Sequence, residues 1–297
     1  MGAGSGNTAP RLRVWRTSME AYRLTLANGS ALGAIAWAWL LLLLASMATL
    51  YWGLWPLERA ARMAGRSGSA LLFATTFSIG LVAGSAIAVR WHRFLLAGED
   101  PLTGPSMRLD STVARYLSWT ALLLLPLLAL LGLLAGSEAV ADEVEADASG
   151  PLVTLLGLLA VAMLLLALMR LSLLLPAIAL CEAQATLATA WRRTRGNTWR
   201  LATAFLLTGI PILLLVALFT SADISSHDMA DRSLYVMRNT LLELAMMVLG
   251  MLSVSLLSLA YRELAVPPAA TSVRAPDAPS AEPKRPSEDA EQPGPIG

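Results

Sequence analysis

Long uncharged apolar intervals alternate along the chain with short clusters of Arg, Asp and Glu. Backbone in hydrocarbon must hydrogen-bond within its own segment, so a run of about 20 apolar residues without charge predicts a membrane-crossing helix. The interval from Arg23 to Glu58 contains a very apolar core, Ala31 to Trp55, with the run Leu40 to Leu44 inside it. Arg66 to Arg90 encloses 23 uncharged residues, and Arg115 to Glu138, Asp147 to Arg170 and Arg200 to Asp223 enclose 22 each. A sixth interval, Arg238 to Arg262, is interrupted near its first end by one carboxylate, Glu243. The pattern predicts an all-α polytopic membrane bundle of six transmembrane helices at about 31–55, 69–90, 116–137, 151–172, 201–221 and 239–261.

The fourth interval continues past Arg170 for another 11 uncharged residues, Leu171 to Cys181, with Pro176 among them. At 1.5 Å rise per residue, Pro151 to Arg170 already covers roughly 28 Å, about one bilayer core. Arg170 then falls at a membrane face. The continuation is too short to cross again, and is expected as a kinked, interfacial or bundle-buried extension. Pro126, Pro176 and Pro211 lie in apolar runs, where neighbouring helices can cover the carbonyls they free.

Two basic stretches lead into spans. Before the first, Trp15, Met19, Tyr22 and Leu26 recur at helical spacing with Arg13, Arg16, Glu20 and Arg23 between them, the pattern of a helix lying in a headgroup layer. Before the fifth, Leu187 and Trp191 stand beside Arg192, Arg193 and Arg195. The stretches also match in letters at constant offset: Ala21, Tyr22, Arg23, Thr25, Asn28 and Leu32 against Ala190, Trp191, Arg192, Thr194, Asn197 and Leu201. Gly29 and Gly196 beside the asparagines are expected as chain-reversal residues. The match reads either as a duplicated unit of interfacial helix, hinge and crossing, or as what any basic lead into a span attracts.

Composition narrows the class. Of 297 residues, 56% are hydrophobic and 14% charged, and the mean hydropathy is +0.60. A soluble domain carries about 25% charged residues, so a water-soluble fold is excluded. The 22 basic and 21 acidic residues leave a net charge of +1, and only Lys284 among the basic residues is not Arg, so no global field favours nucleic acid. One cysteine, Cys181, and two histidines, His92 and His227, exclude a disulfide framework and a clustered Cys/His metal site; no cofactor is expected.

Arginine placement predicts orientation. With the N-terminus cytoplasmic, the inner segments carry Arg11, Arg13, Arg16, Arg23, Arg90, Arg93, Arg108, Arg115, Arg170, Arg192, Arg193, Arg195, Arg200 and Arg262, which is 14. The outer segments carry five: Arg59, Arg62, Arg66, Arg232 and Arg238. Both termini are therefore expected in the cytoplasm. Trp15, Trp52, Trp55, Trp91, Trp119, Trp191 and Trp199 stand near span ends, as an aromatic belt requires. The first apolar stretch is too long and begins too late for a cleaved signal peptide. The organisation expected is a disordered N-terminus over 1–11, a membrane domain over 12–264 and a disordered cytoplasmic tail over 265–297, rich in Pro, Ala, Ser, Glu and Asp.

The basic amphipathic lead, the six spans, the run Arg90 to Phe94 (RWHRF), the stretch Ala190 to Leu201 (AWRRTRGNTWRL) and the ending Ala260 to Leu264 (AYREL) resemble a broad group of bacterial six-helix inner-membrane proteins. That group is loosely similar to the membrane domain found beside glycerophosphoryl diester phosphodiesterases. The resemblance covers roughly residues 12–265 and implies a bacterial inner membrane with no assigned reaction. No soluble phosphodiesterase domain accompanies it here.

Few residues stand out as candidate chemistry. Glu243 is the only acid well inside a span, and reads either as a side chain reaching toward the nearer face or as a proton or substrate group. Arg90, Trp91, His92 and Arg93 could hold an anionic lipid headgroup, as could Arg170, Arg192, Arg193 and Arg195, since a guanidinium fork matches phosphate. Gly80, Gly84 and Ala88 form a small-residue ridge suited to close helix packing. The acids Asp142, Glu143, Glu145 and Asp147 lack the order of a calcium loop. No Walker motif, nucleophile elbow or HExxH is present. The expectation is a non-enzymatic structural, lipid-interacting or accessory protein whose partner is the bilayer, anionic phospholipid included; the alternative is a small-molecule or ion transporter with Glu243 in its pathway.

Overall fold

The structure, a computed structural model, describes residues 11–53, 69–103, 107–141, 150–221 and 229–265. The expected terminal segments, the acidic loop, and the side chains of Trp52 and Trp55 lie outside the described residues. Those described are overwhelmingly helical with no strand: α1 Val14–Ala27, α2 Gly29–Gly53, α3 Ser69–Ala97, α4 Ser111–Ala141, α5 Gly150–Leu171, α6 Leu174–Ala179, α7 Leu187–Arg193, α8 Thr198–Ser221 and α9 Met229–Ala265.

Six of these, α2, α3, α4, α5, α8 and α9, are long and apolar enough to cross a membrane. The chain is a multi-pass membrane protein built as an all-α bundle. Its spans follow the charge-free intervals, because a helix runs on until hydration of charge or a turn outweighs backbone pairing. α3 overruns the expected boundary at Arg90 and continues to Ala97, where Gly98 ends it with φ +70. Pro126 and Pro211 sit inside continuous helices.

Helix α2 packs on α3, α3 on α4, α4 on α5, α5 on α8 and α8 on α9, while α9 also meets α2 and α3. α9 is thus the central helix, with 56% of its spanning window buried against 11% for α4. Among the described residues, burial is strongly one-ended. It collects in the first half of α2 (Ile35, Trp39, Leu43), the last half of α3 (Ala83 to Trp91), the start of α4 (Val113, Tyr116), the start of α8 (Leu201, Ala204) and the last half of α9 (Met251 to Leu264). Alternating crossings bring these halves to one end, called here the α1 end. Toward the other end Leu125, Leu155, Leu214 and Met246 are exposed apolar surface, as spans that face lipid require.

Helix α6 resolves the segment beyond Arg170. All six of its residues are buried, and it packs against α3, α4, α7 and α9. It is a plug in the bundle, built from Leu174, Leu175, Pro176, Ala177, Ile178 and Ala179, with no charge to hydrate.

Candidate functional site

Helix α1 lies on α8 and α9 with its amphipathicity reversed relative to a soluble helix. Its buried side chains are Thr17, Ser18, Ala21 and Thr25, while Trp15, Met19 and Leu26 are exposed at 63%, 49% and 77%. A medium of water would select the opposite rotation; an apolar or headgroup medium selects this one. Hydrogen bonds fix the docking. Ser18 Oγ donates to the Ala204 carbonyl at 3.2 Å, and Tyr22 Oη to the Thr208 carbonyl at 2.6 Å. The entry to α1 is clamped at buried Leu12, whose N–H donates to Asn197 Oδ1 at 3.0 Å and whose carbonyl accepts from Arg200 Nη1 at 3.1 Å. Exposed Arg16 and Arg23 line one side of the apolar stripe, and exposed Arg13 stands at the helix entry.

A buried hydroxyl chain links α1, α9 and α3. Thr25 Oγ1 donates to the Ala21 carbonyl at 2.8 Å, so across its 2.8 Å contact with Ser255 it accepts. Ser255 Oγ in turn accepts the Trp91 indole N–H at 2.7 Å. The neighbouring histidine is settled by the same balance. Ser258 Oγ donates to the Val254 carbonyl at 2.9 Å, so it accepts from His92 Nδ1 at 2.8 Å, leaving Nε2 to accept from Tyr116 Oη at 3.3 Å.

These contacts correct part of the RWHRF expectation. Trp91 and His92 are fully buried, so neither reaches a headgroup. Period explains it: on α3 the two side chains turn toward α9, while Arg90 and Arg93 emerge on other sides. Arg90 Nη2 donates to the Pro101 and Thr103 carbonyls at 2.7 and 3.4 Å, pinning the turn after α3. Arg93 donates from Nε to the Ala179 carbonyl at 2.8 Å and from Nη2 to Thr112 Oγ1 at 3.2 Å, capping α6. Arg193 is likewise engaged, 3.2 Å from both Glu182 Oε2 and Tyr261 Oη, while Tyr261 Oη also donates to Glu182 Oε1. Arg90, Arg93 and Arg193 thus each fasten one part of the bundle to another.

Arg170 is placed differently. Its guanidinium stacks on the Trp191 ring, 3.5 Å from the centroid, and donates from Nε to Thr194 Oγ1 at 3.2 Å and from Nη2 to the Trp191 carbonyl at 3.0 Å. Beside it opens a cavity of about 480 Å³ between α5 and the α7–α8 junction, bounded by Met163, Arg170, Trp191, Gly196, Thr198 and Trp199. Gly196 has φ +80, a conformation that admits the chain reversal between α7 and α8 without a Cβ penalty. Trp199 is 72% exposed, and Arg192 and Arg195 are exposed nearby. The sequence singled out Arg170 and the AWRRTRGNTWRL stretch separately; that they form one groove is a tertiary fact.

The two repeat-like leads agree locally. Thr25 and Thr194 both return their hydroxyl to a buried alanine four residues back, and Leu32 and Leu201 both bond to the asparagine four residues back. Gly29 departs from the expectation, since it begins α2 in ordinary helical geometry and only Gly196 reverses the chain. The docking differs too: α1 lies on α8 and α9, whereas α7 lies on α5 and α6.

Glu243 lines a second cavity, of about 270 Å³, between α2, α3 and α9, with Thr76 and Gly80 beside it, Met247 on its wall and Leu43 and Met251 as apolar floor. It sits three residues inside the spanning part of α9, near the end away from α1. A Cβ built on Gly80 would meet its Oε1 at 3.9 Å, and one on Gly84 would meet nothing within 4 Å. The expected ridge therefore packs tightly only at Ala88, which is buried; Gly80 and Gly84 instead leave room beside the carboxylate. Among the described residues no three His, Cys, Asp or Glu side chains converge on a metal position. No protein-family model, curated protein or solved structure matches the chain.

Proposed function

We propose that the protein is a non-enzymatic, multi-pass protein of a bacterial inner membrane, with both termini cytoplasmic, that engages anionic phospholipid through its α1 end. The observation that carries this reading is the reversed amphipathicity of α1: an exposed Trp15, Met19 and Leu26 stripe with exposed Arg16 and Arg23 along one side and Arg13 at the helix entry. Such a helix is stable only where its apolar face meets acyl chains and its arginines meet headgroups, and each basic residue near an anionic surface contributes about 1 kcal/mol. The arginine bias across the bundle ends supports the cytoplasmic assignment. The second cavity favours one other reading, a cation or proton pathway that uses Glu243.

The first reading is tested by extracting the full chain with its surrounding lipid in copolymer discs and measuring the lipid composition. The wild type should enrich phosphatidylglycerol and cardiolipin over phosphatidylethanolamine, and the triple variant Arg13→Gln, Arg16→Gln, Arg23→Gln should lose at least about half of that enrichment. Equal composition in the two preparations refutes it.

A further inference from the structure

The groove between α5 and the α7–α8 junction is a built receptor, and we infer that it holds the phosphoryl headgroup of one anionic phospholipid, with Arg170 as the phosphate donor. The inference deepens the lipid reading above and rests on it. Arg170 uses two N–H groups to lock onto Thr194 and the Trp191 carbonyl and lies flat on the Trp191 ring. A guanidinium has five N–H donors, so three remain. No carboxylate among the described residues is within ion-pair distance of them. A fork already oriented by stacking loses little freedom on meeting an anion, and its planar pair of N–H groups fits two phosphate oxygens.

The rest of the groove fits what hangs below a phosphate in a bilayer. Met163 lies seven residues before Arg170 on α5, about 10 Å along the helix. The cavity thus extends from the guanidinium over apolar surface, with exposed Trp199 as its other wall. Its volume of about 480 Å³ suits a headgroup, a glycerol and the first carbons of an acyl chain. Trp199 is where a ring with an apolar body and a polar edge belongs, at the boundary of hydrocarbon and headgroup. Exposed Arg195, next to Gly196 at the rim, favours a lipid of net negative charge. Arg193 has comparable charge, but Glu182 already neutralises it, and the groove opens beside Arg170 rather than beside Arg93 or Arg193.

Native mass spectrometry of the full-length protein, loaded from phosphatidylglycerol or phosphatidylcholine vesicles, tests the assignment. The wild type should keep one phosphatidylglycerol through delipidation. Arg170→Ala should lower its occupancy about tenfold, and Arg170→Lys several-fold, since the charge stays and the fork goes. Trp199→Ala, at a site too exposed to endanger folding, should weaken phosphatidylglycerol several-fold and leave any binding of glycerol phosphate unchanged. Glycerol phosphate displacing the lipid at equal concentration would make this a free-phosphate site and overturn the lipid assignment. Equal retention by wild type and both Arg170 variants overturns it as well. If that occurs while the α1 triple variant still loses its lipid enrichment, the groove assignment fails alone and the broader reading survives.

Discussion

Ser255 on α9 joins three helices through one hydroxyl, and Ser255→Ala removes it. The Trp91 indole N–H then has no partner, while Thr25 keeps its bond to the Ala21 carbonyl, so the damage concentrates on one buried donor. Both Ser255 and Trp91 are fully buried, and no solvent can substitute. Stranding a buried donor costs about 1–3 kcal/mol in proteins generally. Interhelical hydrogen bonds measured in membranes average about 0.6 and reach about 1.7 kcal/mol, because the unfolded chain in lipid also finds partners. An indole with a short 2.7 Å bond belongs at the upper end, so the expected loss is about 1.5 kcal/mol. Reversible unfolding in mixed detergent micelles, followed by far-ultraviolet circular dichroism, measures it. Trp91→Phe removes the donor, so in the Ser255→Ala background it should cost about 1 kcal/mol less than alone. A loss under about 0.3 kcal/mol for Ser255→Ala, or strict additivity in the cycle, would refute the assigned hydrogen-bond chain.

Tyr22 lies outside the spans, and burial pushes its phenol above the ordinary value of 10.0. The folded state holds that proton longer than the unfolded chain, so stability should be unaffected below about pH 10 and fall as pH rises through the folded value. Tyr22→Phe should cost about 1 kcal/mol at neutral pH and make the alkaline fall shallower, both read from unfolding midpoints against pH. Gly84→Ala should raise stability by about 0.5–1 kcal/mol, because the helix interior favours Ala and its Cβ meets nothing within 4 Å; a loss above about 1 kcal/mol in the same assay would mean a close backbone approach at that position. If Glu243 serves a cation or proton pathway, proteoliposomes of the wild type should relax an imposed pH gradient at least about tenfold faster than those of Glu243→Gln, and equal rates remove that reading.

The sequence by itself determined the six spans, the basic lead helices and the short segment beyond Arg170 that cannot cross. These depend on local quantities: the length of uncharged runs, the price of hydrating an arginine, and the period of Trp15, Met19 and Leu26. It also isolated Glu243, because one acid in a span is visible in one dimension. What each arginine does was not legible, since the same guanidinium suits a helix carbonyl, a carboxylate or a phosphate equally well. Only the tertiary structure turned Arg90 onto a turn and Arg93 onto α6, paired Arg193 with Glu182, and left Arg170 facing a groove. The same holds for Trp91 and His92, which look like headgroup-facing residues in sequence and become core because Ser255 and Ser258 meet them from more than 160 positions away. A span follows from its own residues and the solvent around it, whereas the fate of a polar side chain follows from whichever distant helix arrives beside it first with a matching donor or acceptor.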